Sequence, residues 1–446
     1  MLVIHAKSVA DITKCVELAN HFHLPLVFRG VGHSTSGISL AEDGVVVDMS
    51  TFCQVIGNNF EATGTETKWL DVQPGIKWSV VVAETSYYGY TPPILPDWLS
   101  LTVGGTLSVG GIGNRSFSEG FQVEHVLEAD IMDGYGTIHT CSPTQNSELF
   151  YAALSGLGQF GIMTRVRLEC VKSPPTVTIY KVIYANVENF LKDFQEFTKN
   201  KTFTCLHGFL VNNRISAVQK KLGVVKRDIE EKLDNYDDWL YYMEATTFNY
   251  ETPKAAKKLQ ESVNRIVATE IEFNSISDPV IEIRPFTVYT ANVPPVMQRN
   301  TSKTEEILAH IEYCCFLSWS HVQKYLKHIE EVTNPNHPFE VLIEPVLSPQ
   351  KKFFSLPKNG EPMVFVLFVR TTPNGNKTLT ENWMLECKRL ESFSKILNAN
   401  RYFVDSNLPA NPQEWEGWIE NWESNLQIKK KYDPHHLFVP YANLWQ

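Results

Sequence analysis

Nineteen of the 24 glycines in this 446-residue chain lie in residues 1–161, leaving five for the other 285 positions. Glycine lacks a Cβ, reaches positive φ and lets backbone approach a ligand closely, at an entropic cost. A region this rich in it needs an occupant that offsets the cost. Eleven of these glycines fall in three clusters: "RGVGHSTSG" (residues 29–37), "TVGGTLSVGGIG" (Thr102 to Gly113) and "SGLGQFGIMTRV" (Ser155 to Val166). The first stands between a short strand-like stretch, Leu26 to Phe28, and the apolar run "GVVVDMS". That setting suits a phosphate cradle or a tight strand-to-strand turn. It does not open a helix, as the dinucleotide fingerprint would. Small hydroxyl residues such as Ser34, Thr106 and Ser108 accompany the glycines. Three such clusters imply a long ligand lying against backbone in several places, and a flavin dinucleotide has that shape.

The rest of the pattern is that of an α+β protein. Before the first cluster, Ile12, Val16, Leu18 and Ala19 predict one apolar face of a helix. "HVLEADIMDGYGTIHTC" reads as a hairpin turning at Asp133-Gly134. Pro174-Pro175 marks a boundary, beyond which strand-like and helix-like segments alternate. There Phe190, Phe194 and Phe197 recur at helical spacing as a core stripe, and "PKAAKKLQESVNRIV" reads as a further helix.

Composition excludes several classes. A formal charge of −10 gives no electrostatic footprint for nucleic acid, and no apolar run reaches membrane-spanning length. The N-terminus is too short in apolar residues for a signal peptide. Eight cysteines, scattered apart from Cys314-Cys315, indicate neither a zinc site nor a disulfide framework. A reducing compartment, the cytoplasm, is therefore expected. The N-x-S/T tripeptides at Asn114, Asn200, Asn300 and Asn376 carry little weight in that context.

Just ahead of the second cluster, Asp97 sits in "TPPILPDWLSL". Apolar surroundings favour the neutral form of a carboxyl, which suits a proton acceptor near neutral pH. Pro-Asp also begins many turns, and the stretch alone is compatible with both.

Taken in order, "FRGVGHSTSG", "PDWLSLTVGGTLSVGGIG", "HVLEADIMDGYGTIHTCS", "ELFYAALSGLGQFGIMTRVRL" and "KKYDPHHLFVP" resemble the cytokinin dehydrogenases. These belong to the vanillyl-alcohol oxidase and p-cresol methylhydroxylase (PCMH) flavoprotein superfamily. The resemblance is dense from about residue 25 to 170 and again near 430. It implies an FAD-binding domain in residues 1–172, an inserted substrate domain in 173–400 built on a large antiparallel sheet with covering helices, and a C-terminal segment, 401–446, returning to the first. It implies FAD bonded covalently through His33 and lined by Phe28, Gly30, Gly32, Ser34, Thr102, Ser108, Ile112, Ile162 and Tyr402. Ser100 stands where related enzymes add a cysteinyl bond, so one covalent bond is expected. Asp97 matches the catalytic aspartate that takes a proton from the substrate amine as hydride passes to flavin. The expected activity is oxidation of an amine C–N bond, with an alcohol or sugar oxidase as the alternative and oxygen or a quinone as electron acceptor. Trp98 is expected to wall the substrate pocket.

Departures lie on the substrate side. Asn212 stands for the family glutamate that contacts the purine, "HIEYCCFLSW" replaces His-Pro-Trp-Leu-Asn while keeping His310, and Pro440-Tyr441-Ala442 replaces Pro-Gly-Gln. Weaker binding of adenine-type cytokinins is expected.

Overall fold

The computed structural model describes residues 1–35, 37–64, 66–212, 239–250, 275, 279–291, 308–334, 337, 339–357, 360–373, 376–406, 409 and 411–439. Strands β1 (Leu2–His5), β2 (Leu26–Arg29) and β3 (Val45–Asp48) form a parallel sheet in the order β1-β3-β2. Helix α1 (Val9–Phe22) links the first two strands. Ser8 Oγ accepts from the Asp11 N–H at 3.2 Å and Asp11 accepts from the Ser8 N–H at 3.0 Å, a reciprocal cap that starts the helix. Ile12, Cys15, Val16 and Ala19 are buried, but Leu18, expected in the core, is 51% exposed. At 100° per residue it lies roughly 110° round the helix from that stripe.

A second, antiparallel sheet contains β4 (Val55–Asn58), β5 (Lys68–Val72), β7 (Val126–Met132), β8 (Ile138–Cys141) and β9 (Ile162–Lys172), with the short β6 (Tyr90–Thr91) also paired to β9. β7 and β8 form the hairpin around Asp133, whose carboxylate accepts from the N–H groups of Tyr135 and Thr137. Helices α2 (Trp78–Tyr87), α3 (Val103–Leu107) and α5 (Ser147–Ala153) pack around this sheet, whereas Phe117 of the short α4 (Ser116–Glu119) packs with residues of the third sheet. The second glycine cluster is therefore not loop throughout. Its first residues make one helical turn, α3, started by Val103 N–H donating to Ile76 O and Gly104 N–H donating to Pro74 O.

The third sheet is antiparallel and eight-stranded. It comprises β10 (Thr176–Tyr184), β11 (Cys205–Asn212), β12 (Trp239–Asn249), β13 (Val280–Pro285), β14 (Leu308–Ser318), β15 (Phe339–Val346), β16 (Met363–Pro373) and β17 (Asn400–Arg401), in the order β13-β10-β12-β11-β15-β16-β14-β17. Side chains alternate between its faces. Leu206, Leu210, Tyr241, Met243, Val341 and Ile343 pack outward under helices α6 (Val187–Asn200), α8 (Trp319–Val332) and α9 (Lys377–Ile396), into which Phe190, Phe194 and Phe197 also point. Between these in the chain lies the short α7 (Phe286–Ala291). Phe209, Val211, Tyr242, Leu342 and Phe365 face inward and join the core of the second sheet. The chain is thus α+β, with a large helix-covered antiparallel sheet set against the glycine-rich part. The segment "PKAAKKLQESVNRIV" lies outside the described residues. No helix among the described residues is long and apolar enough to cross a membrane.

The last described stretch, with α10 (Pro412–Glu416) and α11 (Trp422–Tyr432), returns to the first two sheets. Leu26 N–H donates to Leu437 O at 2.8 Å and Gly134 N–H to Tyr432 O at 2.7 Å. Lys429 locks this return. Its ammonium, fully buried, donates to Asp433 Oδ2 at 2.6 Å, Gln159 O at 2.7 Å and Phe438 O at 2.8 Å, while Asp433 accepts from the N–H groups of Leu437 and Phe438. Burial pulls the Lys429 pKa down against the charge of Asp433. Removing one partner of a buried pair leaves the other charge uncompensated, at a cost of about 3–5 kcal/mol. Lys429→Met should lower stability by that amount in urea unfolding, monitored by tryptophan fluorescence.

Candidate active site

The three glycine segments and the inner face of the eight-stranded sheet enclose one cavity. Phe28, Gly30, Gly32, His33 and Ser34 line it from the first segment, Thr102, Ser108 and Ile112 from the second, and Ile162 from the third. Tyr402, Asp97 and Trp98 line it as well. Residues assigned to one site from distant stretches of chain are therefore brought together. Asn212 is the last residue of β11, opposite Trp239; its side chain, like Pro440-Tyr441-Ala442, lies outside the described residues.

Bare backbone shapes the cofactor side of the cavity. A Cβ at Gly30 would collide with the Thr102 hydroxyl, and one at Gly32, whose φ is +68°, with the Arg29 guanidinium. Among the described residues, no group accepts from the N–H of Val31, Gly32 or Ser34. Such N–H groups beside a cavity suit phosphate oxygens. The second and third segments are tied together by Ser155 N–H donating to Leu107 O at 2.7 Å and Leu157 N–H donating to Ser108 O at 2.8 Å. Tyr402, from beyond the large sheet, accepts from the Gly111 N–H at 3.1 Å, and burial pushes its phenol pKa up.

Asp97 is not used as a turn former. The neighbouring turn is closed by Leu101 N–H donating to Trp98 O at 3.1 Å, and Gly113, with no room for a Cβ against the Leu95 carbonyl, holds the stretch from behind. Trp98, the residue after Asp97, meets the His33 ring edge to face, with centroids 4.5 Å apart.

The facing wall comes from alternate positions of three strands: His310 and Glu312 of β14, Glu340, Leu342 and Glu344 of β15, and Phe365, Leu367 and Val369 of β16. His207 of β11 completes a cluster with two carboxylates. Its Nε2 lies 3.2 Å from Asp97 Oδ1 and 3.0 Å from Glu344 Oε1. Burial opposes protonation of His207, yet Asp97 and Glu344 outweigh it and hold its pKa well above the ordinary histidine value. Burial and the charge of Asp97 push the Glu344 carboxyl up to about 7, against the pull of His207.

Sequence reasoning missed His207 and Glu344. The signal was available: Glu340 and Glu344 in "FEVLIEPV", and His207 in "CLHGFLVN", are polar residues at alternating positions of otherwise apolar strands. Asn114 and Asn376, noted as sequons, have roles within the fold. The first donates to the Tyr289 hydroxyl at 2.8 Å and the second caps α9.

Residues 1–142 match the sequence model of the family described as "FAD binding domain". The full chain is similar to "Cytokinin dehydrogenase 1" of Arabidopsis thaliana, 28% identical and covering 79% of that protein, and to "Cytokinin dehydrogenase 9" of Oryza sativa subsp. japonica, 26% identical and covering 86%. Over 48% of the chain it is 38% identical to "Cytokinin dehydrogenase 4" of Oryza sativa subsp. japonica, matching 41% of that protein. The chain is an FAD-binding oxidoreductase with the PCMH-type fold. Over its full length it resembles cytokinin dehydrogenases at 26–28% identity. The bare glycine wall and the unspent N–H groups fit the cofactor named by that domain.

Gly30→Ala should move Thr102 into the cavity without disturbing either sheet. We expect an unchanged far-ultraviolet circular dichroism spectrum and a lower flavin content in the purified protein, measured by the ratio of flavin to protein absorbance.

Proposed function

We propose that this protein oxidises the C–N bond of an amine, with FAD bonded covalently through His33 and Asp97 acting as the base. The observation that carries the reading is that Asp97 and His33 line one cavity between the glycine-rich segments and the large sheet, with Trp98, next to Asp97 in the chain, against the His33 ring. FAD held there would supply the two-electron acceptor for hydride. Asp97 takes the amine N–H proton as the adjacent C–H pair leaves, so that a C=N double bond forms in the product. Leu342, Phe365 and Leu367 supply apolar surface that holds the substrate and keeps water away. The cytokinin dehydrogenases to which the chain is similar support an amine substrate.

Flavin bleaching by a panel of adenine cytokinins, simple amines, alcohols and sugars tests the substrate class. Reduction by an amine is expected, and reduction only by alcohols or sugars would overturn the reading. With the best substrate found, Asp97→Asn keeps shape but cannot accept a proton, and loss of a general base costs about 10² to 10⁴ in rate. Stopped-flow flavin reduction should slow by that factor with the oxidised flavin spectrum intact. For the covalent bond, acid-precipitated and washed protein should stay yellow and a tryptic peptide containing His33 should carry the FAD mass. His33→Ala should release all its flavin to the supernatant.

A further inference from the structure

The cluster behind Asp97 has a job that base catalysis alone does not explain. Three ionisable groups from three separate parts of the chain converge, one polar side-chain atom of each lying within 4.8 Å of the others. The side chains of His207 and Glu344 are 9% and 1% exposed. Asp97 and Glu344 line the main cavity, whereas His207 and Asp97 line a second, smaller cavity behind it. The imidazole therefore backs the two carboxylates and leaves their front open to a substrate.

We propose that His207 is a positioning residue for the reaction: as an imidazolium seated between Asp97 and Glu344, it turns the Asp97 carboxylate toward the main cavity and keeps it in the proton-accepting form. This rests on Asp97 being the base. Two carboxylates that close, without a cation between them, share one proton, and a base that already holds a proton cannot take another. The imidazolium lessens that competition for Asp97. The raised pKa of His207 agrees with the geometry.

Other ionisable groups face the cluster. Around the smaller cavity are Arg115, Glu244 and Tyr289, with Cys205 beside them on β11; on the main cavity wall are Arg29, His33, His310, Glu312, Glu340 and Tyr402. Arg115 is engaged by Glu119 at 2.9 Å and by Pro93 O at 2.8 Å, and Glu244 accepts from the Tyr242 hydroxyl at 3.0 Å. Among the described residues, His207 is the cation in contact with Asp97.

The test has a kinetic and a spectroscopic arm. In stopped-flow flavin reduction of the holoenzyme across pH, His207→Gln should move the acid limb of the rate profile up by about 1–3 pH units. Adding Glu344→Gln, which removes the competing carboxylate, should move it back down. A uniform fall in rate at every pH, with no movement of the limb, would mean a merely structural histidine and overturn the proposal. In ¹⁵N-histidine-labelled holoenzyme, the signal lost in His207→Gln should remain that of a doubly protonated ring through about pH 8, above the ordinary value of about 6.5. A neutral ring at pH 7, or a stoichiometric divalent metal in the purified enzyme that a chelator removes with loss of activity, would also overturn it. The two readings fail separately: if Asp97→Asn leaves flavin reduction unchanged the base assignment falls, while the nitrogen spectrum still reports whether His207 is charged.

Discussion

Gly30 has no room for a Cβ beside the Thr102 hydroxyl, nor Gly104 beside Pro74, nor Gly113 beside the Leu95 carbonyl. These contacts draw the glycine-rich segments together until one side of the cavity is largely backbone. A wall of side chains would offer a ligand groups that rotate; a wall of peptide offers N–H dipoles fixed by the fold, at the expense of the conformational freedom that glycine loses on folding. The positions of His33 and Asp97 follow from this approach. His33 belongs to the segment pressed against Thr102, and Asp97 to the stretch held between Gly113 and α2, where Trp78 N–H donates to Leu101 O.

The opposite wall obeys a different rule. In the eight-stranded sheet the period of two separates an apolar face, sealed by α6, α8 and α9, from an inner face where carboxylates and histidines alternate with Leu342, Phe365 and Leu367. Burying Glu344 would be costly were it alone, because an ionised carboxylate loses its hydration. Its partner His207 comes from the adjacent strand β11, and β11 and β15 pair with Gly208 opposite Ile343. Sheet register thus sets the charge arrangement beside Asp97.

The hairpin at Asp133, the phenylalanine stripe of α6 and the α+β alternation were legible in the sequence because each rests on contacts within a few residues or on a simple period. Leu18 was misplaced because an apolar residue near a helical stripe need not lie on it. The turn in Val103–Leu107 was hidden because its start depends on carbonyls of Pro74 and Ile76, almost thirty residues earlier.

The glycine clusters, with Asp97 ahead of the second, by themselves marked the first third of the chain as one rich in bare backbone and carrying a candidate base. Residue type and order suffice there, since positions such as Gly30, Gly32 and Gly113 leave no room for a Cβ. What only the tertiary structure decided is the company of that base. His207 and Glu344 lie 110 and 247 positions beyond Asp97 in the chain, and neither belongs to a local motif. Their encounter depends on strand pairing in one sheet and on that sheet's packing against the glycine-rich part. Both are governed by burial of apolar surface over the whole molecule, which no short stretch of sequence contains.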